Sequence, residues 1–362
     1  MRCDMKSLWT NKTRRTNFFT YALVIAAFIV VQSLVSGGSL GYAARGYLVP
    51  VCAYISIAVS LNLLVGICGE LSLGHAGFMG IGAFCGIIAS VVLRDVAPDP
   101  TLRLALCMII GGILAGAAGF LIGIPALRLR GDYLAIVTLA FGEILKNVYS
   151  NLYVGADVNG LHVSFTANSI QLAEGGKMIL DGPVGATGIT KLATFPMGFV
   201  LILFTLFVVL NLVNSKEGRA IKAIRDNRIA AESVGINVTA FRMKAFVVSA
   251  FLAGMAGALF GLNYSSLTAS KFNFNTSINI LVFVVLGGMG NILGSVISAT
   301  VLYILPEAMR ELEDYRMILY AVVLILVMLF TWSPKAIGAV QTAKTVIAEK
   351  FGKKKEEVGK HG

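Results

Sequence analysis

The residues best suited to chemistry lie in one glycine-rich stretch, GELSLGHAGFMGIGA, which covers residues 69–83. It carries a carboxyl group, a hydroxyl group and an imidazole, those of Glu70, Ser72 and His75, among small or apolar residues. Ionisable groups at membrane depth are costly, so they usually face a bundle interior, a water-filled cavity or a proton path. The glycines would let a helix break where it lines such a path. The alternative is that Glu70 and His75 cap helix ends at the membrane interface while the glycines serve only packing.

No catalytic motif accompanies these residues. The sequence has no G-x-x-x-x-G-K-[ST] phosphate loop, no H-E-x-x-H zinc motif and no G-x-S-x-G elbow. Its five cysteines form no C-x-x-C pair and have no histidine neighbours, which argues against a disulfide framework and against a metal site. We therefore expect neither an ATPase nor another enzyme, no catalytic residue and no cofactor.

Composition indicates that these residues lie in a membrane protein. The chain has 362 residues, of which 57% are hydrophobic and 14% charged, whereas soluble domains are roughly a quarter charged. Because about 20 apolar residues cross a bilayer, we predict an all-α polytopic protein with a transmembrane domain over residues 18–332. About ten spans are predicted, some of them short or broken, at residues 18–35, 47–66, 72–93, 104–123, 133–150, 196–214, 243–263, 278–289, 291–306 and 317–332.

The charge distribution predicts the topology. A net charge of +11 in such a protein indicates cytoplasmic loops and contact with anionic membrane lipids, and no nucleic acid is expected. Most of the 30 Lys and Arg lie in four segments. These are the N-terminal residues 1–17, the turn with Arg128 and Arg130, the loop 215–242 and the tail 333–362. The positive-inside rule puts all four, and therefore both termini, in the cytoplasm.

This topology requires residues 278–306 to be two short spans that turn at the sequence GGMGN. Within them, residues 278–299 resemble residues 61–83 in an apolar start, an asparagine at the second position (Asn279 and Asn62) and a glycine-rich turn. Transporters often contain repeats whose broken helices meet near the midplane of the membrane. The similarity indicates a weak internal repeat.

Two further features concern packing and the outer side. Pairs of glycines four residues apart predict tight helix crossings. The pairs are Gly112 and Gly116, Gly119 and Gly123, and Gly257 and Gly261.

The largest outward segment, residues 150–195, is rich in Asn, Gly and Thr. A connection of that length without obvious structure is usually functional or flexible, so it either receives a solute or its carrier protein or is a floppy insertion.

The loop between the sixth and seventh predicted spans contains a basic amphipathic segment. Residues 217–234 are predicted to form one helix that Gly235 ends, and Thr239 is placed to cap the following span. Its cations recur every three residues, at Arg219, Lys222, Arg225 and Arg228. Such a helix either rests on anionic lipid headgroups or docks into a groove of a cytoplasmic partner. The residues themselves leave these two interpretations equally open.

At GRAIKAIRDNRIAAESVGINVTAFRMKAF the sequence resembles a known family. This is the family of permease subunits of ATP-binding-cassette importers for branched-chain amino acids, specifically the M-type permease of the leucine–isoleucine–valine system. The resemblance extends over residues 47–330 and includes three more motifs in the same order: LNLLVGICGELSLGHAGFMGIGA, RLRGDYLAIVTLAFGEI and VVLGGMGNILGSVISA.

The resemblance implies one transmembrane half of an importer in a bacterial plasma membrane. Its partners would be a second permease subunit, two cytoplasmic ATP-binding subunits that hydrolyse ATP, and an extracytoplasmic solute-binding protein. The implied fold is a bundle like the ten-helix core of the vitamin B12 importer, a type II permease. The ATPase contact would fall on a coupling helix, which favours docking over a lipid-resting role. The candidate coupling residues are Arg219, Arg225, Asp226, Ala230, Ala231, Glu232 and Gly235.

The solute path is expected to run beside polar side chains of the spans, while solute choice would rest mainly with the external binding protein. The candidate path residues are Asn62, Glu70, Ser72, His75, Thr138, Glu143 and Asn279.

Two segments depart from the family pattern and leave the solute open. The outer motif reads DGPVGATGI at residues 181–189, where the family usually has GGPNG, and the last span ends in MLFTWSPKAI instead of an Arg-Pro pair. Permeases for urea or short amides share much of the pattern and are an alternative. A secondary transporter with Glu70 and His75 as a proton relay is another, and it predicts uptake by this chain alone without ATP.

Overall fold

The computed structural model describes residues 12–38, 41–94, 96–129, 131–157, 160–166 and 176–308, together with residues 318, 321, 322 and 325. The predicted tail 333–362, most of the predicted last span 317–332 and the first eleven residues lie outside the described residues. The chain divides into two compact units, Met1–Tyr303 and Ile304–Gly362. All contacts below are within the first unit. In the second, the described residues are helical.

The first unit is mainly helical. In chain order the helices are α1 (Lys12–Ser36), α2 (Tyr42–Asn62, prolonged by a π-helical turn Leu63–Cys68), α3 (His75–Val92), α4 (Pro100–Ala126), α5 (Asp132–Ser150), α6 (Phe195–Asn214), α7 (Lys216–Asp226), α8 (Arg228–Ser233), α9 (Val238–Gly261), α10 (Phe274–Gly287) and α11 (Ile292–Ala308).

Six of the described helices, α1 to α4, α6 and α9, are long and apolar enough to cross a membrane. Helices α10 and α11 are apolar but shorter. Helix α5 is long enough but carries Asp132, Glu143 and Lys146, and such charged groups are unfavourable against lipid. The chain is therefore a multi-pass membrane protein in which one long helix is unusually polar.

Residues 278–306 form two helices, as the charge distribution requires. Helices α10 and α11 are joined by a turn in which Gly288 and Gly290 have φ of +89° and +82°, a region that favours glycine. Beside the turn the two helices touch through backbone. A Cβ added at Gly294 would lie 1.8 Å from the carbonyl oxygen of Gly287. The predicted break at GGMGN is confirmed.

Helix α9 lies at the centre of the bundle and packs against α2, α3 and α4. Glycines allow its close contacts with α3 and α4. A Cβ added at Gly257 would lie 1.9 Å from the oxygen of Met79, and a Cβ added at Gly119 would lie 2.6 Å from the Cβ of Ala250, so no larger residue fits at either position without a shift. Small residues let helix backbones approach closely, so van der Waals contact replaces the hydrophobic effect that is absent in lipid. The predicted crossings at the paired glycines are confirmed.

The segment 150–195 is structured in its described part, so its interpretation as a floppy insertion is wrong there. It forms β1 (Tyr153–Asp157), β2 (Gly160–Ser164), β3 (Lys177–Asp181) and β4 (Ala186–Thr187). A fifth strand, β5 (Ser266–Leu267), comes from the connection after α9. The antiparallel order is β2-β1-β3-β4-β5. The sequence did not reveal the sheet because its strands are short and β4 pairs with a distant segment.

The predicted single helix over residues 217–234 is also wrong, since α7 ends at Asp226 and α8 begins at Arg228. Asn227 is extended, and its side-chain oxygen accepts a hydrogen bond from the amide of Ala230 at 3.1 Å. Asparagine competes with helix propagation by forming this cap. The segment is therefore two short helices set at an angle by Asn227.

The end of the basic segment confirms one prediction and corrects another. Gly235 has φ of +83° and ends α8, and the amide of Ile236 bonds back to the oxygen of Ala231 at 3.1 Å, as expected for a C-terminal glycine. Helix α9, however, is capped by Asn237, whose side chain accepts from the amide of Ala240. Thr239 lies inside the first turn and is not the cap.

The glycine crossing makes a stability prediction. A Cβ at Gly82 would lie 1.9 Å from the oxygen of Gly254, whereas one at Gly116 meets nothing nearer than 3.5 Å. Gly82→Ala should therefore lower stability by about 1–3 kcal/mol, as overpacking usually does, while Gly116→Ala serves as the matched control. The measurement is the thermal unfolding midpoint in mild detergent. Equal midpoints for the two variants would contradict a rigid backbone contact at Gly82.

Candidate functional site

The bundle has two functionally different ends. Helices α6 and α9 each run between the five-stranded sheet and the basic loop of residues 215–237. The sheet and the basic loop therefore lie at opposite ends of these helices, which we call the sheet end and the basic end. The start of the 69–83 stretch lies at the basic end, because Arg225 of α7 donates to the oxygen of Gly66 at 2.8 Å and its stem lies against Gly69. His75 lies further along the bundle, beside Ser249 in the middle of α9.

Residues 69–74 form a partly buried break between two helices. The π-helical turn ends at Gly69, which has φ of +78°, and the chain regains helical structure only at His75. Ser72 and Gly74 within the break are buried. Irregular backbone at membrane depth is tolerated only where protein or a cavity surrounds it. The predicted discontinuity is confirmed, and at this point the surroundings are protein.

Glu70 forms an ion pair with Arg242 of α9. The Arg242 Nε lies 2.5 Å from Oε1 of Glu70, and the two side chains are 3% and 16% exposed. This contact is an ion pair and not an aligned hydrogen bond, but Nη1 of Arg242 also donates to the oxygen of Leu127 at 3.1 Å. A buried guanidinium needs a compensating charge. Glu70 therefore joins the break to α9 and to the end of α4.

His75 is buried in a chain of hydrogen bonds between three helices. Its Nε2 lies 2.9 Å from Oγ of Ser249, and that hydroxyl donates to the oxygen of Ser60 at 2.6 Å. Because the Ser249 proton is used in this way, Nε2 of His75 must be the donor in this contact. Neither Nδ1 nor the hydroxyl of buried Ser72 has a partner among the described residues.

Asn62 connects the two segments of the predicted internal repeat. Its Oδ1 accepts from the amide of Gly290 and its Nδ2 donates to Oγ of Ser295, both at 2.8 Å. Asn62 is fully buried. At the same point the backbones nearly touch, since a Cβ at Gly66 would lie 2.1 Å from the nitrogen of Gly290. The glycine-rich turns of the two segments therefore meet at the basic end.

Thr138 of α5 completes the support of the break. Its hydroxyl accepts from the amide of Leu73 at 3.1 Å and donates to the oxygen of Ala135 at 3.0 Å. The hydroxyl thereby satisfies a backbone donor that the irregular segment cannot pair within itself. Asn62, Ser72, His75 and Thr138 are thus buried within this chain, and Glu70 is largely so.

Glu143 on α5 and Asn279 on α10 are not buried in this way. They belong to a surface of these two helices that we call the α5–α10 face. Glu143 pairs with Lys146 and accepts from the amide of Phe274 at the start of α10, at 3.1 Å. Asn279 is exposed on α10. The exposed residues of the face include Ile136, Ala140, Ile144 and Asn147 on α5 with Phe274, Asn275 and Asn279 on α10.

Near the sheet end, a cation lies close to this face. Lys271 belongs to the 3₁₀ turn Ala269–Phe272, which contacts α5 and leads into α10. Its ammonium lies 4.0 Å from the centre of the Tyr264 ring. Burial lowers the pKa of Lys271, because desolvation disfavours the charged form.

The candidate coupling residues lie on the basic loop and face different ways. Arg219, Asp226, Ala230, Glu232 and Gly235 are exposed. Ala231 is buried against Ile224 and Val238, and Arg225 turns inward to Gly66. Two apolar residues of the loop that are not among the candidates, Ile229 and Val234, are 80% and 75% exposed.

The sequence interpretation also missed Arg242, Ser249 and Ser295, the partners of Glu70, His75 and Asn62. One signal was available for Arg242, an arginine at the start of a long apolar run. The serines carried none, since each is separated from its partner by more than a hundred residues.

A comparison with known proteins identifies the family. Residues 43–330 match the family model described as branched-chain amino acid transport system / permease component. Over 95% of its length the chain is 31% identical to the high-affinity branched-chain amino acid transport system permease protein LivM of Salmonella typhimurium, of which it covers 80%. It is 32% identical to LivM of Escherichia coli K12, over 90% of this chain and 75% of that one.

Another relative is the permease protein LivH of Salmonella typhimurium, 25% identical over 76% of this chain and 88% of that one. No solved structure matches the chain significantly. Broken, glycine-packed apolar helices define a polytopic membrane protein. Together with the comparison, they show that the chain belongs to the branched-chain amino acid transport system permease family.

The ion pair at the break makes a prediction. Glu70→Gln keeps the shape of the side chain but leaves Arg242 uncompensated, which should lower stability by about 3–5 kcal/mol, as for other broken buried pairs. The control is Glu217→Gln, because the pair of Glu217 with Lys244 is half exposed and such pairs contribute about 0–1 kcal/mol. Thermal unfolding midpoints in detergent measure both. A Glu70→Gln variant as stable as the control would show that the ion pair is not structural.

Proposed function

We propose that this protein is one transmembrane subunit of an ATP-driven importer for branched-chain amino acids in a bacterial plasma membrane. ATP is hydrolysed by two partner subunits at the basic end, which lies in the cytoplasm with both termini. A solute-binding protein delivers the amino acid at the sheet end. The full bundle has about ten spans in the type II arrangement of the vitamin B12 importer.

The observation that carries the proposal is a pair of exposed apolar side chains, one on α8 and one at its C-terminal end. Ile229 and Val234 lie at the basic end, on a helix fixed by the Asn227 cap and by Gly235. Exposed large apolar groups within a charged surface mark interaction sites. A short helix with apolar anchors suits insertion into a groove of a partner. Arg228 and Glu232 pair with each other at 3.0 Å, so they hold this surface in shape.

The path for the solute is proposed along the α5–α10 face. A Glu–Lys pair and two exposed asparagines are unfavourable against lipid, so this face requires water or another protein. A second permease subunit opposite the face would enclose a polar path between the two chains. Of the sequence candidates, Glu143 and Asn279 would then be the ones that border the path. Asn62, Glu70, Ser72, His75 and Thr138 would hold the break in position behind it.

The identity of the partners and of the solute is inferred from relatives. Proteins named LivM and LivH from Escherichia coli K12 are both named as permease proteins of a high-affinity branched-chain amino acid transport system. We infer a second permease partner of this kind and leucine, isoleucine or valine as the solute. Urea or a short amide is the alternative solute within the same mechanism.

Docking at α8 is tested by Ile229→Asp. A charge at this exposed apolar position should prevent association with the ATP-binding subunits, because the anchor would have to be buried there. We expect loss of the ATPase from a complex purified out of native membranes, loss of leucine uptake and normal membrane insertion. Val96→Asp is the matched control, since Val96 is 77% exposed at the other end of the bundle. Glu232→Arg, which breaks the pair with Arg228, should likewise abolish uptake.

The same purification distinguishes the rival mechanism. An ATPase with a phosphate loop should accompany the wild-type protein together with a second permease. Recovery of the chain alone, with leucine uptake into liposomes that needs no ATP and stops with an uncoupler, would refute the importer. It would support an ion-coupled transporter in which Glu70 and His75 move protons.

The path is tested by thiol labelling in a background without native cysteines. A cysteine at Asn279 should react with a charged, membrane-impermeant thiol reagent in the assembled complex, because a polar path contains water. A cysteine at Phe207, which is exposed on apolar α6, should not react, because it faces hydrocarbon. ATP should change the labelling rate of the cysteine at position 279 and leave the labelling rate of the cysteine at position 207 unchanged. Failure of the Asn279 cysteine to react in every nucleotide state would exclude the α5–α10 face as the path.

A further inference from the structure

Arg225 connects the basic loop to the interior of the bundle. Its Nη1 donates to the backbone oxygen of Gly66 at 2.8 Å, whereas the other candidate coupling residues are exposed or packed within the loop itself. Gly66 belongs to the π-helical turn that ends α2. This hydrogen bond joins two segments that are 159 residues apart in the chain.

The Gly66 oxygen is available because of the way in which α2 ends. The last carbonyl groups of a helix have no partner within the helix. In this turn the amides of Gly69 and Glu70 both bond to the oxygen of Leu64, and neither bonds to Gly66. A cation near such carbonyls is favourable, because the C-terminal end of a helix carries partial negative charge. Arg225 therefore acts as a C-terminal cap from another segment.

The stem of Arg225 fits a space that only glycine leaves open. A Cβ at Gly69 would lie 2.6 Å from Cγ of Arg225, and Gly69 also needs its positive φ for the turn. A Cβ at Gly290 would lie 3.8 Å from Nη1 of Arg225 and 3.2 Å from the oxygen of Gly66. The guanidinium is thus placed where α7, the end of α2 and the α10–α11 turn come together.

Asp226 orients the guanidinium for this contact. Its Oδ1 accepts from Nε of Arg225 at 3.3 Å and from Nη2 at 3.1 Å. The planar fork of an arginine then directs Nη1 towards Gly66. Asp226 is exposed, so it is itself accessible from the surface on which a partner would dock.

Arg225 differs from Arg242, which also bonds to a helix-terminal carbonyl. Arg242 belongs to the central helix α9 and is 3% exposed, as expected for a fixed structural contact. Arg225 belongs to the loop and is 42% exposed. A single hydrogen bond from a side chain that is partly exposed to solvent adds little to stability, because water competes for both groups, so folding is not expected to depend on it.

We propose that Arg225 is the positioning residue that transmits movement of the basic loop to the broken helices. When the partner moves α7 and α8, the bond to Gly66 moves the end of α2 with them. Because Asn62 bonds to Gly290 and Ser295, the α10–α11 turn moves too. The π-helical turn and the break at residues 69–74 supply the hinge. This inference rests on the proposed importer function.

The test is Arg225→Met in the purified complex, reconstituted in liposomes with its solute-binding protein. Met keeps an apolar stem against Gly69 and removes every donor. We expect ATP hydrolysis at the wild-type rate and an unchanged thermal midpoint, while leucine taken up per ATP falls about tenfold, within the usual range of coupling between sites. Arg225→Lys should recover part of this ratio, because an ammonium can still donate to the Gly66 oxygen.

Lys216→Ala is the matched control, since Lys216 is an exposed cation on the same helix that is not among the candidate coupling residues, and its removal should leave the ratio unchanged. A wild-type ratio in Arg225→Met overturns the inference alone, and so does a proportional loss of hydrolysis and uptake, which would assign Arg225 to docking. A wild-type complex without ATP-dependent uptake refutes the proposed function, and the inference with it.

Discussion

Inside a membrane each backbone N–H and C=O group needs a partner, and a helix that breaks there leaves several without one. This constraint organises the basic end of the bundle. Thr138 accepts from the amide of Leu73, Asn62 accepts from the amide of Gly290, and two arginines donate to the ends of α2 and α4. The polar side chains in an otherwise apolar sequence are explained first by this requirement. They make a broken helix possible in surroundings that would otherwise exclude it.

The glycines follow from the same arrangement, because these side chains reach their partners only if the helices lie very close together. Gly82 and Gly257 bring α9 against α3, and Gly66 brings α2 against the α10–α11 turn. Interiors packed in this way have discrete alternative arrangements and do not deform continuously. A bundle held by backbone contacts and a few hydrogen bonds at its breaks is therefore suited to rigid movements about those breaks, which is what a transporter requires.

Sequence reasoning was most successful where the signal is local. The break at GGMGN, the paired glycines and the end of α8 at Gly235 depend on residues close together in the chain, and the structure confirms them. It failed at Asn227, which has ordinary helix neighbours but caps a new helix instead, and at residues 150–195, where β4 pairs with β5 from a distant loop. In both cases the local sequence pattern favours one structure, a continuous helix or an irregular loop. A hydrogen-bonding interaction, the Asn227 cap or the pairing of β4 with β5, decides for another.

The sequence alone determined that this is a polytopic membrane protein, where its helices break, and which family pattern it follows, because hydropathy, glycine spacing and motif order are properties of short stretches. Only the tertiary structure decided the surroundings of each polar group. Ser72 and His75 share a motif with Glu70 and are buried, Glu70 is mostly buried against Arg242, and Glu143 and Asn279 lie on a face that is more exposed. Their partners, Arg242, Ser249 and Phe274, come from remote parts of the chain. Burial depends on which helices pack together, and that information is not contained in any single segment.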